Sequence, residues 1–302
     1  MRPRPDDPPR ADPETHWSGT TVSRRGFLVA GGALLLAACG SDGGSKGASD
    51  TGGKNALSFA VGSSSLAVRP TPQRFAFIAQ RGTEYLKSPV SIRFLPPGGE
   101  WTASTKAKLH TQGLREGFTL YTTDATLDAV GTADNPWQAE ITADGQTATG
   151  YFMVRATSVA PDVGQPAPRT ASPTPTDTLG VDPICTRSPA CDLHSTSLAA
   201  VVGARPLAVM FATPARCQTQ LCAPSLDQLL AVGPQYDNVD SVHVEIYKDK
   251  TGPDVSPTVA AWNLDSEPFF YTVDAAGTIV GRLDGAFAQD EVQALVEQLA
   301  KG

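Results

Sequence analysis

Short apolar runs, separated by turn residues, set the pattern between residues 55 and 160. Aromatic and β-branched residues cluster in five of these runs, which predict β-strands at 74–79, 90–95, 118–121, 137–141 and 151–154. Asp144-Gly145 lies between the last two runs, where it predicts a two-residue hairpin turn. No long helical period occurs in this part of the chain. Several short strands over about 100 residues predict an all-β sandwich.

The pattern after residue 181 alternates between strands and helices. A continuous apolar run at 206–212 predicts a buried strand, and apolar residues at helical spacing in 224–232 predict a helix. The pattern further predicts a strand at 241–247, a hairpin of 269–273 and 278–283, and an amphipathic helix at 289–300. The expected fold class is therefore an all-β, immunoglobulin-like sandwich over 55–160, followed by an α/β domain over 181–302.

Two polar stretches mark the boundaries of these domains. Residues 161–180 hold five prolines with Ser and Thr, a composition typical of a semi-rigid extended linker. Residues 40–54 are rich in Gly and Ser and contain almost nothing that could enter a core, so 39–54 is expected to be a flexible tether. The length of 302 residues, at about 150 residues per domain, agrees with two domains.

The first 38 residues have the pattern of an export signal. Ser23-Arg24-Arg25-Gly26-Phe27-Leu28 opens an uncharged run that ends at Leu36-Ala37-Ala38-Cys39. The twelve residues 27–38 would span about 18 Å as a helix, too short for a hydrocarbon core of about 30 Å. The two motifs resemble a twin-arginine signal and a bacterial lipobox. This resemblance implies that Cys39 carries a lipid and anchors the chain on the extracytoplasmic face of the cell membrane.

Charge and isolated polar residues exclude some functions. The chain has 24 Lys and Arg against 31 Asp and Glu, a net charge of −7, which disfavours nucleic acid as a partner. His110 has no Cys or carboxylate grouped around it in the sequence, so it is expected to be a surface residue. We find no catalytic cluster in the first predicted domain.

Four of the five cysteines lie in the second predicted domain, at positions 185, 191, 217 and 222. An apolar strand, a loop with Cys217 and Cys222, a helix, a strand, Glu267-Pro268, a hairpin and a final helix follow one another. This order resembles the thioredoxin fold over about 182–302. The resemblance implies that Cys217 and Cys222 occupy the active-site loop and that Pro268 is a cis proline facing them. With its signal and sandwich, the chain resembles exported actinobacterial lipoproteins of the redox type.

The cysteine spacing leaves the roles of the thiols open. Four residues separate Cys217 from Cys222, where thioredoxins have two, and five residues of one regular helix rise about 7.5 Å, beyond the usual reach of a disulfide. Cys217 is the expected nucleophile by family position, but Cys222 would lie nearer to a helix N-terminus. Cys185 and Cys191 are expected to form a second small disulfide. In an exported protein, four cysteines may instead be structural and allow three connectivities.

Metal binding is a further alternative, because some lipoproteins with this fold resemble copper chaperones that combine two loop cysteines with a distant histidine. His194 and His243 are the candidates. His243, however, falls within a predicted strand, no second ligand follows His194, and three methionines are too few for a copper-rich patch. We therefore expect no metal site and no cofactor.

The function that this pattern favours is thiol–disulfide exchange by a lipid-anchored extracytoplasmic protein. The expected site consists of Cys217, Cys222 and Pro268, and the expected partners are proteins with thiols or disulfides, with the membrane contacted through the lipid. The alternative is a non-enzymatic interaction protein in which disulfides stabilise a thioredoxin-like scaffold. A copper chaperone is the less favoured third interpretation.

Overall fold

Two antiparallel sheets with a shared core form the first part of the protein. The structure, a computed structural model, describes residues 55–216 and 223–302. The strands of this part are β1 (Leu57–Val61), β2 (Gln73–Arg81), β3 (Glu84–Tyr85), β4 (Ser91–Leu95), β5 (Thr105–Lys106), β6 (Lys108–His110), β7 (Leu120–Ala125), β8 (Trp137–Ala143) and β9 (Gln146–Phe152). One sheet has the order β1-β2-β7-β6, with β3 beside β2, and the other has the order β5-β4-β8-β9.

The alternation of side chains explains why β2 is apolar on both faces. Phe75 and Phe77 point into the core that the two sheets share, together with aromatic side chains of β4, β8 and β9. Ala76 and Ile78 point to the opposite face, where they pack against Ala286. A strand that is buried on both faces gives the continuous apolar run seen in the sequence.

The predicted hairpin between β8 and β9 is confirmed. Asp144 and Gly145 connect the two strands with φ angles of 47° and 77°. Positive φ at both central residues is what the tight turns of two-residue hairpins require, and Asp-Gly provides it at little cost. The turn fixes the register in which Ala143 lies opposite Gln146.

The second part of the protein is a four-stranded sheet with helices on both faces. Its elements are α1 (Leu198–Val201), β10 (Leu207–Phe211), α2 (Ala223–Val232), β11 (Asp240–Val244), α3 (Pro257–Ala261), β12 (Phe269–Val273), β13 (Ile279–Asp284) and α4 (Gln289–Lys301). The order is β11-β10-β12-β13, with β10 parallel to β11 and antiparallel to β12. Ala208 and Met210 face α2 and α4, whereas Val209 and Phe211 face the opposite layer.

In the part of the chain that is described, β-sheet predominates and the α-helices are few. All the predicted strands and helices of both halves occur, although β7 begins two residues later than predicted and β11 ends at Val244 rather than at residue 247. None of the helices between residues 198 and 301 is long and apolar enough to cross a membrane.

The proline-rich stretch 161–180 is extended, but it is packed against the protein along part of its length. Gly164 and Ala167 donate backbone hydrogen bonds to Ile279 and Gly277, and Ile279 donates to Gln165. Ala167, Ser172 and Thr174 are buried. These bonds satisfy the free edge of β13, which explains why a segment of linker composition is held in place here.

Polar contacts join the two parts of the protein. Arg74 on β2 forms two hydrogen bonds to Glu291 on α4, at 2.6 and 2.9 Å. Asp284 at the end of β13 accepts hydrogen bonds from the backbone N–H groups of Ser64 and Ser65, at 2.7 and 2.9 Å. The described residues therefore belong to one compact unit.

His110 lies at this junction, and the expectation that it is a surface residue is wrong. Its side chain is 1% exposed, its Nδ1 lies 2.8 Å from an Asp290 carboxylate oxygen, and its Nε2 lies 2.8 Å from the Thr122 hydroxyl. Asp290 is 180 residues away in the chain. The carboxylate that accompanies this histidine is therefore visible only after folding.

Candidate metal centre

Two cysteines and two histidines converge at one edge of the C-terminal sheet. Their ligand atoms, the Sγ atoms of Cys185 and Cys191 and one ring nitrogen each of His194 and His243, all lie within 4.8 Å of one another. We call these four side chains the Cys2His2 cluster. It is the largest concentration of soft metal-ligating groups that the described residues contain.

The strand β11 positions His243. Its register places His243 beside Met210 of β10, on the sheet face that is covered by α2 and α4. His243 is fully buried, and its Nε2 lies 3.0 Å from the carbonyl oxygen of Ala212. A carbonyl can only accept, so Nε2 carries the proton and Nδ1 offers its lone pair to the cluster.

An irregular segment supplies the other three ligands. Residues 182–194 contain no helix or strand and lie along the free edge of β11, where His243 N donates to Leu193 O at 2.9 Å. Asp182 N donates to Lys248 O, and Thr186 Oγ1 accepts from Ala215 N. Arg187 pairs with Asp227 of α2 at 2.8 Å. These contacts hold the segment at both ends and in its middle.

The distances within the Cys2His2 cluster have a simple geometric meaning. Sγ of Cys185 and Sγ of Cys191 are 3.7 Å apart, and Nδ1 of His243 lies 4.0 and 3.5 Å from them. Nε2 of His194 lies 3.0 Å from Nδ1 of His243. Around a tetrahedral Zn²⁺, two sulfurs lie about 3.8 Å apart, a sulfur and a nitrogen about 3.6 Å, and two nitrogens about 3.3 Å. The four atoms have nearly the separations of a tetrahedral coordination shell.

Burial and hydrogen bonding favour charge on the sulfurs. Cys185 is 9% exposed, His194 is 4% exposed, and Cys191 is half-buried. The contact between the two sulfurs lowers the pKa of Cys185 and raises that of Cys191, because one sulfur carries the charge while the other keeps the proton. Cys191 N also donates to Cys185 Sγ at 3.4 Å. A thiolate is the form that binds a metal ion.

A buried carboxylate lies beside the cluster. Glu245 follows His243 on the same face of the chain and is 1% exposed. One of its oxygens accepts from Thr186 N, and the other has no partner among the described residues. Burial raises the pKa of Glu245. The alternating pattern of the strand gave no sign that this carboxylate would be enclosed.

The other expected site residues are placed only in part. Cys39, Cys217 and Cys222 lie outside the described residues. Pro268 is buried, its peptide bond with Glu267 is cis, and it directly precedes β12. Because Phe269 of β12 lies opposite Phe211 of β10, Pro268 is at the sheet edge from which the chain continues toward residue 217. Cys185 and Cys191 are adjacent thiols without an S–S bond.

Sequence reasoning weighed His194 and His243 as ligands but did not combine them with Cys185 and Cys191. Cys191 precedes His194 by three residues, and this Cys-x-x-His spacing was the available signal. The search for a second ligand after His194 missed one that lies before it. No family model and no curated protein matches this chain.

Proposed function

We propose that this protein binds one transition metal ion, Zn²⁺, through Cys185, Cys191, His194 and His243. The observation that carries the proposal is the agreement between the distances in the cluster and those of a tetrahedral shell. Two thiolates and two imidazoles in this geometry are a donor set that selects zinc among the common divalent ions. Four protein ligands leave no position for a substrate, so the ion has a structural or storage role rather than a catalytic one.

The carbonyl of Ala212 supports the same proposal. A ligating histidine usually donates its other ring N–H to a carbonyl or carboxylate, which fixes the tautomer and the orientation of the ring. His243 has this arrangement, at 3.0 Å. A plain hydrogen bond between His194 and His243 would not need the two sulfurs to lie at the same point.

The setting that we propose for this site is an exported lipoprotein with a thioredoxin-like C-terminal part. The order β11-β10-β12-β13, the helix between the parallel strands β10 and β11, and the final helix after the β12–β13 hairpin support the thioredoxin-like assignment. The two sheets around one core support the immunoglobulin-like assignment of the first part. The anchor at Cys39 rests on the sequence motifs alone.

A metal titration of the full chain tests the proposal. With Co²⁺ as a spectroscopic probe for Zn²⁺, we expect one equivalent to bind with a thiolate-to-metal charge-transfer band and the visible spectrum of a tetrahedral ion. Zn²⁺ should displace Co²⁺ at the same stoichiometry. The variants Cys191→Ser and His194→Ala should lose the tight site, because each removes one of the four ligands.

The chain offers a matched control in its other pair of cysteines. The double variant Cys217→Ser, Cys222→Ser should still bind one equivalent with an unchanged spectrum, and circular dichroism checks that each variant is folded. If this control loses the ion while Cys191→Ser retains it, the ion is held elsewhere and the proposal is wrong.

Thiol–disulfide exchange by Cys217 and Cys222 is the second candidate function. The observation that favours it is the position of Pro268 at the sheet edge where β10 ends, next to the start of the segment 217–222. In this proposal, Cys217 attacks a disulfide of a partner protein, Cys222 resolves the mixed disulfide, and Pro268 shapes the docking groove.

Mixed-disulfide trapping tests this second candidate. Cys222→Ala should accumulate mixed disulfides with partner proteins through Cys217, because the resolving thiol is missing, and Cys217→Ala should accumulate few or none. Non-reducing electrophoresis followed by mass spectrometry measures both. The inverse result would make Cys222 the nucleophile. If neither variant accumulates a mixed disulfide, the scaffold interpretation replaces exchange.

A further inference from the structure

We propose that oxidation of Cys185 and Cys191 to a disulfide releases the metal ion, so that the ion and the disulfide exclude each other at this site. The inference rests on the proposed zinc binding. It adds a regulation of the site and a class of molecule, a disulfide, that acts on it.

The positions of the two sulfurs support this exclusion. The Sγ atoms are 3.7 Å apart, and a disulfide needs about 2.05 Å, so a movement of less than about 2 Å joins them. Both cysteines lie in the segment 182–194, which has no helix or strand to break when it adjusts. The histidines cannot follow freely, since His243 belongs to β11 and is fully buried. Closing the disulfide therefore removes two ligands from a fixed pair.

Exposure determines which sulfur an external disulfide meets first. Cys191 is half-buried, whereas Cys185 is 9% exposed and both histidines are buried. Cys191 is therefore the sulfur that reacts with a molecule from solution, and Cys185 is the sulfur that resolves the intermediate. The bond from Cys191 N to Cys185 Sγ keeps the two sulfurs side by side for the second step.

The chemistry balances with a disulfide R–S–S–R as the oxidant. The Cys191 thiolate attacks one sulfur of R–S–S–R, a new S–S bond forms, and one RS⁻ leaves. The Cys185 thiolate then attacks Sγ of Cys191, and the second RS⁻ leaves. Two electrons pass from the cysteine sulfurs to R–S–S–R, which becomes two thiolates that take protons from water. Zn²⁺ keeps its charge, loses both sulfur ligands and is released from the remaining imidazoles.

Oxidised glutathione is the probe for this step. The full chain with Cys39→Ala, Cys217→Ser and Cys222→Ser keeps only the two cluster cysteines; it is loaded with one equivalent of Zn²⁺ and then oxidised. A chromophoric chelator measures free zinc, and intact-mass spectrometry measures the loss of two hydrogens. We expect one Zn²⁺ to be released for each disulfide formed, at the same rate, and dithiothreitol to restore binding. A disulfide that forms while the ion stays bound would overturn the inference and leave the proposed zinc site intact.

Single substitutions test the assigned order of the two sulfurs. In the same background, Cys185→Ser should stop at a stable glutathione adduct on Cys191, and Cys191→Ser should form an adduct at least tenfold more slowly. Equal rates would overturn the assignment of Cys191 as the entry point. If the parent chain binds no Zn²⁺ before oxidation, the proposed function itself has failed, and this result is visible before glutathione is added.

Discussion

In zinc at a thousand times its dissociation constant, the free energy of unfolding of this protein should be about 4 kcal/mol higher than in chelator. The increment arises because the ion binds the folded cluster, whose ligands come from the segment 182–194 and from β11, and these are far apart in the unfolded chain. Urea unfolding followed by tryptophan fluorescence measures it, since Trp137 and Trp262 are almost fully buried.

Two double variants make this measurement specific. Cys185→Ser, Cys191→Ser should abolish the zinc-dependent increment, and Cys217→Ser, Cys222→Ser should keep it within about 0.5 kcal/mol. An increment that survives the first double variant would mean that zinc stabilises the protein from another site.

Replacing Asp284 by alanine should lower the free energy of unfolding by about 3 kcal/mol, through loss of the junction between the two parts of the protein. The Asp284 side chain accepts from two backbone N–H groups and from Arg282 at 3.1 Å. The Arg282 side chain is only 3% exposed. Removal of the carboxylate leaves a buried guanidinium with less compensation and two backbone donors without an acceptor.

The effect of Asp284 should also depend on pH. Burial alone would raise the pKa of Asp284, but Arg282 and the two backbone N–H groups outweigh burial and lower it. A carboxyl group whose folded pKa is below its unfolded value of about 3.9 stabilises the protein fully above that pH. The stabilisation is lost as pH falls through the folded pKa. The difference between the native chain and Asp284→Ala should therefore shrink below about pH 4.

An exposed aspartate provides the control for this second prediction. Asp134 lies on the surface, so Asp134→Ala should change the free energy of unfolding by less than about 0.5 kcal/mol. Urea unfolding at neutral pH and at acid pH compares the two variants. A cost below 1 kcal/mol for Asp284→Ala at neutral pH would mean that water replaces its hydrogen bonds.

The sequence pattern predicted the strands and helices well wherever side chains alternate against a core or repeat at helical spacing. Phe75, Phe77 and the Asp144-Gly145 turn are examples, because their local chemistry already requires the observed conformation. The short strands β3, β5 and β6 have two or three residues each and were not predicted. Elements of this length depend on their neighbours in the sheet rather than on their own composition.

The candidate site was less accessible to sequence reasoning, for a physical reason. His243 and Cys185 are 58 residues apart and meet only because the segment 182–194 lies along the edge of β11. His110 and Asp290 meet in the same way, across the junction of the two parts. Spacing in the sequence could reveal Cys191-x-x-His194, but not the partners that the tertiary fold brings to it.

The outer strands of the C-terminal sheet are both covered by irregular chain, β13 by residues 164–167 and β11 by the segment that ends at Leu193. An uncovered strand edge can pair with another molecule and start aggregation. Three of the four metal ligands lie in the cover of β11, so the ion fastens a guard over the backbone of that strand. Loss of the ion would loosen this guard and leave the chain more prone to self-association through β-sheet pairing.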